Sequence, residues 1–173
     1  MGSPQTIGIR AARCHIRDPA LFLKDLRAVA TAWNSHVICF NADMVAGRIH
    51  ALAAVAQAAR AFEEGHAVSN TFEMESFLFA AGSRQCNVAA LFGIHEGENR
   101  LFVCCCPERE GIWTALGFLF TLVHESWDDI DPPKRDRLMR TFGITPEEIA
   151  AAGGERRLVD LVLERVALLR VNR

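Results

Sequence analysis

The sequence predicts an α+β fold, a small and mostly antiparallel sheet of about three or four strands covered by about six to eight helices. Three observations lead there. Short β-branched or apolar segments recur at IGIRAARCHI, HVICF and NRLFVCCCP, too short and too rich in strand formers to be helices. The segments between them carry helical spacing instead. Starts and stops are also marked, by Asp18-Pro19, Pro132-Pro133 and Thr145-Pro146 on one side and by Gly82, Gly143 and Gly153-Gly154 on the other. Half of the 173 residues are hydrophobic, enough for one domain over residues 1–173 with its own core.

Taken in order, Ile7, Ile9 and Ala11 alternate in the first strand, and Asp18 caps a helix opening on Pro19. Phe22, Leu26, Val29 and Trp33 form one stripe on that helix, which leads into the strand HVICF. With Asn41 or Asp43 as cap, residues 44–62 read as an Ala-rich helix. Val45, Ile49, Leu52 and Ala56 share one of its faces; Gly47, Ala51, Ala54 and Ala58 form a second, small-residue face that admits a close neighbour. Phe72, Leu78 and Phe79 suggest a short helix ending at Gly82, and Ser83 can cap another over residues 84–92, closed by Gly93. After the third strand, residues 111–124 read as a buried helix, shorter than the roughly 20 residues a membrane span needs. Asp131 caps the next helix, which Gly143 stops. Thr145-Pro146-Glu147-Glu148 forms a capping box, and the last helix begins near Glu155.

Charge narrows the function classes. A formal net charge of -2 gives no whole-molecule positive field for nucleic acid, so any such contact is local and made by a few cations. The corner Gly82-Ser83-Arg84-Gln85 offers one, because the first amides of a helix lack intrahelical partners and sit beside a guanidinium. Arg84 either holds a phosphate or carboxylate there, or pairs with Glu73 or Glu75 and pins two short helices together. The six cysteines, three of them contiguous at Cys104, Cys105 and Cys106, do not form a spaced disulfide framework; with no signal peptide, a reducing cytoplasm is expected.

Chemistry of other kinds finds little support. On a strand Cys104 and Cys106 face one way and Cys105 the other, and no C-x-x-C or H-E-x-x-H spacing supplies further ligands, so no metal is expected. Neither G-x-x-x-x-G-K-[ST] nor G-x-G-x-x-G occurs, so no nucleotide cofactor is expected. Asp128, Asp129 and Asp131 read as a solvated loop and a helix cap. A cysteine- or metal-dependent enzyme stays as the remote alternative.

The order of His50 near the start of the Ala-rich helix, Glu75 at the head of an apolar one, then Ala81-Gly82-Ser83-Arg84-Gln85 and Ala89-x-x-x-Gly93-Ile94, resembles a known pattern. It is similar to that of the small accessory subunit of the KEOPS complex, the TPRKB-like family, in its archaeal type. Two departures are Cys86, where the family has an aliphatic residue, and the triple cysteine. The resemblance implies a non-catalytic subunit without a cofactor that docks on the kinase-like ATPase subunit and through it on the catalytic subunit. It also implies capture of the 3′ CCA end of tRNA in support of threonylcarbamoyladenosine formation; a regulator of the kinase-like partner without RNA contact is the alternative.

A single-stranded tail needs only a phosphate contact or two and a stacking surface. Ser83, Arg84 and Gln85 are the expected tRNA contacts, with Phe72 and Phe77 as stacking candidates that can equally be core residues. His50 and Glu75 are given structural or orienting roles. For partner docking the terminal helix is expected to serve through Val159, Val162, Leu163, Val166 and Leu169, its stripe widened by Leu158, Leu161 and Leu168. The competing reading packs that helix inside the domain or at a homodimer contact.

Overall fold

Four antiparallel strands run in the order β2-β3-β1-β4: β1 (Gly8–Ile16), β2 (His36–Asn41), β3 (Gly97–Cys106) and β4 (Thr121–Leu122). The structure is a computed structural model and describes residues 5–171. Its eight α-helices among these residues are α1 (Pro19–Ala32), α2 (Arg48–Glu63), α3 (Phe72–Ala81), α4 (Cys86–Ala89), α5 (Ile112–Ala115), α6 (Pro132–Phe142), α7 (Pro146–Ala152) and α8 (Leu158–Val171). Short 3-10 turns at Ala90–Phe92 and Glu155–Arg157 follow α4 and precede α8. The α+β class, the strand count and the helix count agree with the sequence.

Each face of the sheet has its own core. Val37, Cys39, Leu101, Val103 and Cys105 point to Phe22, Leu26 and Ala30 of α1 and to Ile112 and Leu116. Ile38, Phe40, Phe102, Cys104 and Cys106 point the other way, into the layer of α2, α3 and α6–α8. Covered on both sides, β3 is an unbroken apolar run from Leu101 to Cys106, as a central strand requires.

Local capping signals are used as the sequence suggests in three places. Asp18 Oδ1 accepts from the Leu21 amide at 3.1 Å, Asp131 Oδ1 from Lys134 at 2.9 Å and Thr145 Oγ1 from Glu148 at 3.1 Å. The capping box is only half made, because the Glu148 carboxylate turns to Arg165 at 2.8 Å rather than back to its own helix start.

Other expectations need correction. The Ala-rich helix starts at Arg48, not at residue 44, and neither Asn41 nor Asp43 caps it. Asn41 Oδ1 is spent on the Asp43 amide in a tight turn, and Gly47, at φ 118°, breaks the helical path. The Arg48 amide donates instead to Asp128 Oδ1 at 2.6 Å, across 80 residues of sequence. The small-residue face is the packed one, as the sequence suggests, with Ala51, Ala54 and Ala58 fully buried, but the other face is not a core face: Ile49 and Leu52 are 56% and 37% exposed. Both α3 and α8 pack on α2, and small side chains allow that approach.

Residues 111–124 form no continuous helix. They split into α5 and the two-residue β4, which pairs Leu122 with Ala12 and Thr121 with Arg13 at the sheet edge. Bulky and β-branched residues at Phe118, Phe120 and Thr121 favour that edge pairing over a fourth helical turn.

Replacing Asp128 by alanine removes a cap that no local residue can supply. The expected cost is about 1 kcal/mol, seen as a lower melting temperature together with faster exchange of the Arg48 amide. An unchanged Arg48 exchange rate would show that the distant cap is not formed.

Candidate functional site: the helix corner at Gly82

The corner begins where α3 ends. Gly82 takes φ 59°, and the Ser83 amide reaches back to the Leu78 carbonyl at 3.1 Å while the Gly82 amide bonds Phe79 at 3.1 Å. This left-handed stop satisfies two terminal carbonyls and turns the chain sharply. A third, that of Ala80, accepts from His50 Nε2 at 2.8 Å. His50 Nδ1 in turn accepts from the Ala46 amide at 2.9 Å, so the ring bonds the loop before α2 to the last turn of α3.

Those two bonds fix the neutral Nε2–H form, since a protonated ring would point an N–H at the Ala46 N–H. Burial, the largest influence, holds the His50 pKa down at about 4; the bond to Ala80 works against this, and the Lys134 charge adds to it. Glu75, also fully buried, accepts from the Val68 amide at 3.2 Å and the Ser69 amide at 2.8 Å, tying down the loop before α3.

Beyond Gly82 the expected helix over residues 84–92 is replaced by the four-residue α4 and a 3-10 turn, and Ser83 is not its cap. Ser83 Oγ accepts from the Gln85 amide at 3.1 Å, which rounds the corner and stops short of the helix. With so short a helix, little dipole is available for an anion.

Arg84 is exposed and makes no hydrogen bond or ion pair with the described residues. The alternative pairing with Glu73 or Glu75 is not made. Glu73 meets His36 Nδ1 at 3.1 Å, and Glu75 holds the loop amides.

Phe72 and Phe77 do not flank Arg84 as open platforms. Phe72 is 6% exposed, with its ring stacked on His36 at a centroid distance of 4.5 Å and against Phe62 at 5.8 Å, so it is a core ring. Phe77 is partly buried and meets Phe40 edge-on at 5.4 Å.

The terminal helix also needs correction. Val162, Val166 and Leu169 of the expected docking stripe, together with Leu158 and Leu161, are buried against their own chain. Val159 and Leu163 are half-buried, and Leu168 and Val171 are the exposed apolar residues of α8. Truncation before Glu155 would therefore open the core.

What the structure does bring together is the corner and this helix. Ala81, Gly82, Phe142, Arg165, Leu168 and Leu169 line one depression of about 260 Å³. Arg165, unnoticed in the sequence, donates to Glu148 at 2.8 Å and to the Phe142 carbonyl at 3.4 Å beside Gly82. No spacing within α8 distinguishes it from Arg170; only its place opposite Gly82 does.

Cys39, Cys104, Cys105 and Cys106 are buried, and burial is the main reason their thiols stay protonated: Cys106 is pushed up to about 11, Cys105 to about 12, Cys39 and Cys104 further. They behave as small apolar residues. Among the described residues no group of three or more His, Cys, Asp or Glu side chains could hold a metal ion, and no helix is long and apolar enough to cross a membrane.

A family model described as Kinase binding protein CGI-121 matches residues 20–170. The chain belongs to that family. Comparison with curated proteins finds no match.

Two outcomes follow from the site. Between pH 6.5 and 4 the unfolded His50 binds a proton that the folded ring refuses, so stability falls as pH drops through that window, by roughly 3 kcal/mol in all. The His50→Leu variant should lose about 3 kcal/mol at neutral pH, from two orphaned backbone groups, and should lose that acid slope; acid denaturation curves of both proteins check this. Thiol titration of the native protein should label Cys86 fast and Cys14, whose pKa is raised to about 11 chiefly by burial, slowly; the four buried thiols should react only on unfolding. Rapid labelling of Cys104 or Cys106 would contradict the burial.

Proposed function

We propose that this protein is a non-catalytic subunit that binds a kinase-like partner and captures the 3′ CCA end of tRNA, in support of threonylcarbamoyladenosine formation by a KEOPS-type assembly. The kinase-like partner follows from the family, whose description is a kinase binding protein. One observation carries the RNA contact: Arg84 stands exposed, and unpaired among the described residues, at a corner that buried His50 and the Gly82 stop hold in place.

A guanidinium in that setting has no carboxylate among the described residues to leave, so a phosphate gains its full fork. Ser83 and Gln85 border it. Such a contact is small and local, as the net charge of -2 requires. Docking on the kinase-like partner is assigned to the exposed side of α8 at Leu168 and Val171, one turn apart, with the half-buried Val159 and Leu163 on the opposite margin of the helix.

The second reading, a regulator of the kinase-like partner without RNA contact, shares the docking surface and dispenses with Arg84. A band-shift with intact tRNA, and with tRNA lacking the CCA end, separates the two. Intact tRNA should bind more tightly, and Arg84→Ala should weaken it by roughly tenfold while co-purification with the kinase-like partner is kept. Leu168→Glu should do the reverse. Equal binding of both tRNAs, or no effect of Arg84→Ala in a folded protein, would leave only the second reading.

A further inference from the structure

The outward side of α2 breaks the usual pattern of a surface helix. His50, Ala51, Ala54, Val55, Ala58 and Ala61 face the core. Opposite them, Ile49, Leu52, Ala53, Ala56, Arg60 and Glu63 fall within an arc of about 100° at 3.6 residues per turn. A helix buried on one face ordinarily carries polar and charged side chains on the other. From Ile49 to Ala56 this stripe carries none: Ile49, Leu52 and Ala56 are exposed and Ala53 is half-buried.

Charge sits at the two ends of the stripe. Arg48, beside Ile49, is exposed; its Nη1 donates to the Ile9 carbonyl at 3.3 Å, and it makes no ion pair among the described residues. Glu63, at the far end, is exposed and has neither a hydrogen bond nor an ion pair among the described residues. Its neighbours there are already matched, because Glu64 takes Arg60 at 3.1 Å and Arg170 at 2.9 Å. Bulk is as unevenly spread as charge. Ile49 and Leu52 occupy the first half, only methyl groups the middle at Ala53 and Ala56, and the long stem of Arg60 the second half.

We infer that the outward face of α2 receives the same face of a second copy of this chain, the two helices crossing antiparallel about a two-fold axis near Ala53 and Ala56. In a two-fold contact residue i meets residue j of the other copy and j meets i. Ala53 then meets Ala56 of the second copy, and methyl groups at the crossing let the axes approach to about 8 Å. Ile49 of each copy lies along the Arg60 stem of the other, and Arg48 comes beside Glu63. A parallel pair would instead set Arg48 against Arg48 and Glu63 against Glu63, with the helix dipoles aligned rather than opposed. This complementarity of the stripe with itself, in charge and in bulk, names a second copy as the occupant. A helix of 16 residues is about 24 Å long and about 10 Å across, so the contact is at the small end of specific interfaces and the dimer is weak. It uses neither Arg84 nor Leu168 and stands independently of those assignments.

Sedimentation equilibrium of the full chain tests this. Between about 1 µM and about 1 mM the average mass should climb from the 19.1 kDa of one chain toward twice that value. Ala56→Arg, at an exposed position in the middle of the stripe, should leave a monomer at the highest concentration with an unchanged melting temperature. Arg48→Glu and Glu63→Arg should each weaken association by roughly tenfold, since two symmetry-related pairs are lost at once. Combined in one chain, the two substitutions should restore association, which a contact elsewhere on the surface would not do. A monomer throughout the range, which would give this face to a different protein, an unaltered dimer in Ala56→Arg, or a double charge exchange that fails to restore association would each overturn the inference.

Discussion

His50 joins two segments that otherwise have no covalent or electrostatic reason to stay together. Its ring accepts a hydrogen bond from the Ala46 amide on one side and donates one to the Ala80 carbonyl on the other, so the entry to α2 and the exit from α3 share one buried, neutral link. The carbonyls of a helix's last turn must find donors outside the helix, and in a dry core they cannot find water. Here a histidine supplies one and the Gly82 stop supplies the others. The direction in which the chain leaves α3, and with it the position of Arg84, is set by this pair of devices. Phe92 and Phe142 meet the same ring edge-on, at 6.3 and 5.6 Å, so the packing of α6 and of the turn after α4 also refers to it.

Around that link the molecule keeps its reactive groups quiet and most of its cations at the surface, Lys134 being the buried exception. The thiols of β2 and β3 are locked as apolar filler, and Lys134, lowered in pKa chiefly by burial, donates to the Trp127 carbonyl at 2.9 Å. Arg13 and Arg100 lie over the Trp127 ring at 4.9 and 5.2 Å, which fixes the loop that brings Asp128 to α2. The exposed pairs, such as Arg13 with Glu125, add little to stability. Arg84 differs from these cations in holding no partner among the described residues.

How much of this could be read from the sequence depends on how far each signal reaches. Asp18, Asp131, Thr145, Gly82 and Gly143 act within four residues of where they stand, and each ends or begins a helix where the sequence says. The central strand was legible because a strand covered on both faces leaves a continuous apolar run. Failures came where the deciding partner is distant. The cap of α2 is Asp128, and the β4 pairing at Leu122 answers to Ala12. The same distance explains the site. Arg84 stood out by its motif, but Arg165 comes to Gly82 only through the tertiary fold, and the terminal helix, rich enough in leucine and valine to suggest a partner, spends most of that surface on its own core.

The ring of His50 is the most direct place to test the account, through a two-bond ¹H–¹⁵N correlation spectrum recorded across a pH series. A single Nε2–H form, unchanged from neutral pH down to about pH 5, is the predicted result, because burial and the two backbone bonds leave the Nδ1 lone pair occupied. An Nδ1–H form, or a ring that titrates near its ordinary 6.5, would mean that the link between α2 and α3 is not made and that the Gly82 corner is held by something else.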